Sequence, residues 1–273
     1  MENRSGVSYY SGKNGISSST LKIIAVATMF IDHVAAVFEK ELNEAIPHFS
    51  LFDGLPFMRI VGRIAFPLFA FMIAEGAGRT KNIYKYMLRL LVFVFISEIP
   101  FDLALYHTPL SGVLRETEHQ NVFITLFLGL ASIWVYQLLQ KKRLELLAFP
   151  ALLVFAFLAE ELFKSDYGAM GVICIFLFYV FLHSPGMVKN IGVVFTVLIL
   201  PVILSLSVFT LTSRVHFDVS LLYNDYEFFA VLALPFILLY NGEKGKNINK
   251  YLFYGFYPGH MLLLWGLYML ICG

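Results

Sequence analysis

Leu21-Lys-Ile-Ile-Ala-Val-Ala-Thr-Met-Phe-Ile-Asp-His-Val-Ala-Ala-Val-Phe38 is an apolar run with two ionisable residues, Asp32 and His33, in its interior. A helix needs about 20 apolar residues to cross a bilayer, and this run is close to that length. Ionisable side chains at such a depth are costly to bury and mark functional sites by default. The stretch therefore predicts both a spanning helix and a chemical site within it. Adjacent residues on a helix diverge by about 100°, so Asp32 and His33 should meet different neighbours. Ala25, Thr28, Asp32 and Ala35 share one face of mostly small residues, suited to close packing or to a lined cavity.

The rest of the chain has the same character. Of 273 residues, 59% are hydrophobic and 14% charged, with a mean hydropathy of +0.74, whereas globular chains carry about 25% charged residues. This is the composition of an all-α, polytopic transmembrane bundle whose first partner is the lipid bilayer. A formal net charge of +1 offers no basic surface for nucleic acid. Cys174 and Cys272 lie in apolar runs, which reads as buried thiols rather than a disulfide framework. Residues 1–19 are polar and lack a cleavable apolar core. They read as a flexible tail ahead of a retained first helix, and residues 20–273 as one transmembrane domain.

Apolar runs at 21–38, 57–77, 84–105, 121–140, 144–163, 168–183, 191–210, 226–240 and 252–271 predict about nine spans. In that bundle the basic residues of the N-terminal segment and of the loops at 79–89, 141–143, 189 and 244–250 share one side. Cytoplasmic loops accumulate Lys and Arg, so a multi-pass protein of the cell membrane with a cytoplasmic N-terminus is expected.

With this orientation the unusual polar residues collect toward the outer leaflet: Asp32, His33, Arg59, Arg63, Glu98, Asp102, Asn121, Glu160, Glu161 and Asp166-Tyr167-Gly168. The second and third runs are joined by a short turn through Gly78–Asn82 and are expected to form a tight antiparallel hairpin. In such a hairpin Arg63 matches Glu98 in depth, Arg59 matches Asp102, and each pair is spaced i, i+4 on its own helix. Two stacked cross-helix ion pairs are the expectation, serving either as a packing clamp or as contacts to substrate. Pro67 and Pro100 deprive the carbonyls of Arg63 and Ile96 of their helical partners. His260, in Phe256-Tyr-Pro-Gly-His260, lies well inside a span and is as open to a packing role as to a functional one. His48, His107, His119, His183 and His216 fall in loops or at helix ends. No His-Glu-x-x-His, zinc-spaced Cys pair, P-loop or Gly-x-Gly-x-x-Gly occurs, so no metal is expected.

Several strings together resemble the TraX family. They are Leu21 to His33, Arg59-Ile-Val-Gly-Arg-Ile-Ala-Phe-Pro-Leu-Phe-Ala-Phe71, Arg79-Thr-Lys-Asn82 with Tyr86 and Arg89, and Ser97-Glu-Ile-Pro-Phe-Asp-Leu103. Asn121-Val-Phe, Asp166-Tyr-Gly168 with Gly171, and Phe256-Tyr-Pro with His260 add to them. The resemblance runs from about residue 20 to the C-terminus and leaves out the tail. It implies a transmembrane acyltransferase-like fold and an acetyltransferase acting on the N-terminal amine of a pilin or other peptide. The family is also similar to transmembrane enzymes that move acetyl groups from cytosolic acetyl-CoA to acceptors on the far side, such as heparan glucosaminide N-acetyltransferase. The key intramembrane histidine of those enzymes corresponds, by motif order, to His33.

Transfer of an acyl group from a thioester to an amine needs a base, and histidine is the usual one at neutral pH. His33 is the expected base. Asp32, Glu98 or Asp102 would orient it or hold the acceptor ammonium, and Arg59, Arg63, Asp166, Tyr167 and His260 are the further candidates for substrate contact. Asn121 or Tyr167 are candidate donors to the developing oxyanion. Arg79, Lys81, Lys85 and Arg89 would meet the phosphates of acetyl-CoA, or serve only as positive-inside anchors. Two alternatives stay open: O-acylation of a cell-surface glycan or lipid, and an ion- or proton-coupled transporter, although no clear inverted repeat is visible.

Overall fold

The computed structural model describes residues 15–45, 50–51, 55–106, 119–198 and 226–272. Helix α1 (Ser18–Val37) starts before the apolar run because Ser17 caps it, its side chain accepting from the Thr20 N–H. α2 (Glu39–Ala45) follows, then a minimal antiparallel pairing of β1 (Ser50–Leu51) with β2 (Leu55–Pro56). The second spanning unit is α3 (Phe57–Gly62) and α4 (Ala65–Arg79). Its break at 63–64 falls where Pro67 removes the N–H that would bond the Arg63 carbonyl. Pro100, by contrast, sits inside an unbroken α5 (Ile83–Leu105).

α6 (Val122–Lys141) is followed by α7 (Ala148–Phe157), which passes into a π-helical turn at Leu158–Leu162. Next come α8 (Gly168–Leu182), α9 (Gly186–Leu198), a tight helical segment Tyr226–Ala233 leading into α10 (Leu234–Leu238), and α11 (Lys250–Ile271). Every apolar run of the sequence thus contains helix. Among the described residues, however, three helical stretches are both long and apolar enough to cross a membrane: Ser18–Val37, Phe57–Arg79 and Val122–Lys141. Gly168–Leu182, Gly186–Leu198 and Phe228–Leu238 are apolar but shorter. α5 is long, but Lys85, Arg89, Glu98 and Asp102 lower its apolarity, and Pro258 and His260 do the same for α11. The end of the expected seventh run, 199–210, and residues 1–14 lie outside the described residues, as do His48, His107 and His216.

α4 packs on α8, α1 and α6, and α6 packs on α8, α5 and α7. Leu21, Leu68, Phe71, Leu130, Ile175 and Phe178 are fully buried where these helices meet. Cys174 is buried and Cys272 exposed, and neither is in a disulfide. The expected tight hairpin does not form. Although only Thr80–Asn82 separates α4 from α5, the two make little contact, and α5 lies against α11 and α6 instead. They splay from their shared turn, and the wedge between them is open.

At the end of the bundle that carries this turn, the loop before α11 is stitched to the start of α1. Ser18 and Ser19 donate their N–H groups to the carbonyls of Glu243 and Lys244 at 2.8 and 3.2 Å, and Lys246 donates its own to Ser19 Oγ at 3.0 Å. Gly245, at φ +70°, lies against Ser17 and Ser19 so closely that no Cβ would fit. The first-turn donors of α1 are thereby satisfied by a segment more than 220 residues away.

Candidate functional site

The wedge between α4 and α5 is part of a cavity of about 560 Å³, walled by α1, α3, α4, α5, α6, α11 and the turn at Asp166-Tyr167. Lys22 and His33 both line it from α1. They are eleven helical steps apart, about 16 Å along the axis, which is about half the thickness of a hydrocarbon layer of about 30 Å.

One end is basic. Lys22, Arg79 and Arg89 line it together with a single carboxylate, Glu75. Tyr240 donates its hydroxyl to Glu75 Oε1 at 2.6 Å, and Arg79 Nε pairs with the same oxygen at 2.8 Å. Arg79 Nη1 also donates to the Gly242 carbonyl at 2.8 Å. Arg89 lies over the Tyr86 ring and Lys22 over that of Phe253. Lys81 and Lys85 are exposed and lie outside the cavity wall, on the loop and first turn beyond it. Two of the four cations expected at this mouth therefore reach it, and Lys22 joins them.

The other end holds Asp32, His33, Arg59, Arg63, Asp166 and Tyr167. Both arginines form ion pairs with Asp32. Arg59 Nη1 sits 2.8 Å from Oδ2, and Arg63 Nη2 is 2.8 Å from Oδ2 and 3.0 Å from Oδ1. Arg59 reaches the Asp32 carbonyl as well, at 3.4 Å. Asp32 lies directly on Gly62, so that a Cβ there would collide with its carboxylate. The small-residue face is as expected: Ala25, Thr28, Asp32 and Ala35 are all buried.

Glu98 is not the partner of Arg63. Its Oε2 accepts from the side chain and N–H of Asn121, and its Oε1 has no hydrogen-bond partner. Depth matching in the sequence presumed that α4 and α5 touch, and their splay removes that pairing. Asn121 is the N-cap of α6: Oδ1 accepts from the Phe123 N–H at 3.0 Å, and Nδ2 donates to the Val94 carbonyl and to Glu98. Its donors are spent within the protein. Glu98, the fully buried Asp102 and Asn121 are absent from the cavity wall.

The turn that carries Asp166 and Tyr167 is pinned from three sides. Gln120 N–H bonds the Lys164 carbonyl at 3.1 Å, Asp166 N–H bonds the Gln120 carbonyl at 2.8 Å, and the Thr125 hydroxyl bonds the Asp166 carbonyl. Tyr167 is held at φ +65°, a left-handed conformation uncommon for a bulky residue. Its ring stacks on Phe66 at 3.8 Å, and the Arg63 guanidinium sits 5.9 Å from its centre. Strained backbone held in place by its surroundings is a recurrent mark of functional sites.

His33 turns away from Asp32 toward α11. Its Nδ1 lies 2.6 Å from Nε2 of His260, whose Nδ1 in turn lies 2.7 Å from the Phe256 carbonyl. His33 belongs to the cavity wall and His260 stands behind it, almost fully buried. Tyr257, about one helical turn before His260, lines the cavity beside His33 with ring centres 5.8 Å apart, and its hydroxyl is buried. Lys22, Glu75 and Tyr257 are the wall residues that sequence reasoning passed over. Lys22 counted only toward the basic, cytoplasmic side, and its spacing of eleven residues from His33, close to three helical turns, is the signal that would have placed the two on one face. Among the described residues no group of three or more His, Cys, Asp or Glu could hold a metal ion.

The family model described as TraX protein matches residues 17–268. A "Probable fimbrial assembly protein FimC, serogroup H1" from Dichelobacter nodosus is 27% identical over 254 residues, which cover 91% of this chain and 94% of that protein. No solved structure matches.

Proposed function

Because the chain belongs to the TraX family, we propose that it is a membrane-embedded acyltransferase that moves an acetyl group from acetyl-CoA to an amine. The observation that carries this reading is the single cavity with a basic end at Lys22, Arg79 and Arg89 and a histidine, His33, toward its other end. A polyanionic donor suits the first end and a proton acceptor the second. In the proposed arrangement the bundle makes nine crossings of the cell membrane, with the N-terminus and the basic mouth cytoplasmic, in keeping with the bias of Lys and Arg toward that side.

Lys22, Arg79 and Arg89 hold the CoA phosphates, and the acyl arm extends along α1 toward His33. The acceptor amine enters from the opposite side, past Asp166, and gives up the extra proton of its ammonium form to the water there, so that it reaches the thioester as a neutral amine. As the amine nitrogen bonds to the thioester carbonyl carbon, His33 takes its proton. The Tyr257 hydroxyl offers a donor to the carbonyl oxygen as it becomes negative. The carbon–sulfur bond then breaks, and the proton on His33 passes to the departing thiolate, leaving an acetamide and free CoA. A pilin or other peptide N-terminus is the acceptor that the fimbrial name of the relative favours. A hydroxyl acceptor would use the same steps.

The test is transfer of labelled acetyl from acetyl-CoA to a panel of peptides, small amines and glycans, with the wild type and His33→Ala in parallel. Transfer by the wild type that His33→Ala lowers by about 1,000-fold supports the proposal. Undiminished transfer by the variant removes His33 from its role. Failure of the wild type to acetylate anything, together with coupled ion flux in proteoliposomes, would replace the enzyme by a transporter.

A further inference from the structure

We propose that His260 is a positioning residue: it and the Phe256 carbonyl fix His33 in the tautomer protonated at Nδ1, which leaves Nε2 as the basic nitrogen offered to the cavity. For transfer, the inference rests on the acyltransferase reading; for the tautomer, it rests on hydrogen bonding alone.

The chain of protons is determined from its far end. A backbone carbonyl only accepts, so the 2.7 Å contact between His260 Nδ1 and the Phe256 oxygen places a proton on His260 Nδ1. Neutral His260 then carries a bare Nε2. That nitrogen lies 2.6 Å from His33 Nδ1, a distance at which one proton must lie between them, and His33 must supply it. The two rings are parallel to within 5° with centres 4.9 Å apart. A nitrogen–nitrogen distance of 2.6 Å is too short for rings stacked face to face, so they meet edge to edge, as an in-plane N–H donor and lone pair require. With Nδ1–H committed, the remaining nitrogen of neutral His33 is Nε2, which has no hydrogen-bond partner among the described residues.

His260 is itself held still. Its ring lies against Phe256 at 4.9 Å, Phe30 at 6.0 Å and Tyr257 at 5.7 Å. A base oriented by a third group is the general logic of activated nucleophile–base pairs, and here the orienting group is a neutral imidazole backed by a carbonyl. When His33 takes a proton at Nε2, the Nδ1–H bond to His260 becomes charge-assisted and strengthens. The relay therefore favours the protonated state at the moment the reaction requires it. Asp32, next in sequence, cannot do this work, since its two oxygens are engaged by Arg59 and Arg63.

The experiment combines nitrogen NMR with kinetics on the full chain in lipid nanodiscs. Histidine is labelled with 15N, and the His33 resonances are identified by their loss in His33→Asn. In wild-type protein at a pH where His33 is neutral, Nδ1 should show the protonated shift and Nε2 the unprotonated one. In His260→Phe, which keeps the ring volume without the acceptor, His33 should move toward the Nε2–H form that free histidine prefers. Acetyl transfer should then fall about 100-fold in kcat with KM for acetyl-CoA unchanged. His260→Gln, whose side-chain oxygen can still accept from His33, should retain the Nδ1–H form and restore kcat to within about tenfold of wild type. An Nε2–H tautomer in wild type, or an unchanged tautomer in His260→Phe, overturns the proposal. Should His260→Phe fail to fold, the wild-type and His260→Gln spectra still decide. If the tautomers behave as stated while no acceptor is acetylated, the relay stands and the acetyl-transfer reading is what fails.

Discussion

Helix α1 presents two chemistries from adjacent residues. On its α3 side Asp32 is closed in: two guanidinium groups occupy its oxygens, and Gly62 lies against its carboxylate. On its α11 side His33 has one nitrogen bonded to His260, and the residue lines a cavity. Burial and charge are thus not what distinguishes a reactive group from a structural one, since both residues are costly to place in a membrane. The difference is whether bonding capacity remains after the fold has formed. The saturated side ties α1 to α3, and the other side carries the nitrogen that we propose as the base.

That contrast makes the variants of the two sides separable. The largest effect is expected from His33→Ala, which should lower acetyl transfer by about 1,000-fold while thermal unfolding in detergent stays near wild type. A comparable loss of stability would mean that His33 is structural too. Asp32→Ala should do the reverse and destabilise the bundle by about 3 kcal/mol, because two largely buried guanidinium groups lose their carboxylate. Unfolding midpoints measure this, and a variant as stable as wild type would dissolve the clamp. Gly62→Ala probes the same side without touching charge: the added methyl collides with the Asp32 carboxylate and should cost about 2 kcal/mol, read by the same melts. The smallest effect belongs to the far end of the cavity. Lys22→Gln should raise KM for acetyl-CoA by about tenfold, the loss of one charge-assisted contact of about 1.4 kcal/mol, with kcat little changed. An unaltered KM would detach Lys22 from donor binding.

Much of this was legible in the sequence where it depends on a single helix. The small face of α1 and the divergence of Asp32 from His33 both follow from helical periodicity, and both are observed. What was not legible depends on how helices lie against one another. Equal depth in a hairpin suggested Arg63 with Glu98, but α5 leaves α4 for α11 and α6, and Asn121 takes Glu98. His33 and His260 are 227 residues apart, and no periodicity joins them. The span count suffered in another way. Lys85 and Arg89 near one end of α5, and the inward-held Glu98 and Asp102 near the other, make that helix less apolar than a crossing segment in lipid, and the hydropathy signal blurs there.

The stitching of the loop at 243–246 to the start of α1 also sets an order of assembly. The acceptors of its Ser18 and Ser19 amides are made some 220 residues after the helix itself. The helix that directly follows this loop brings His260 to His33. The tether of α1 and the neighbour of His33 are therefore made in one stretch of synthesis, after the rest of the cavity wall.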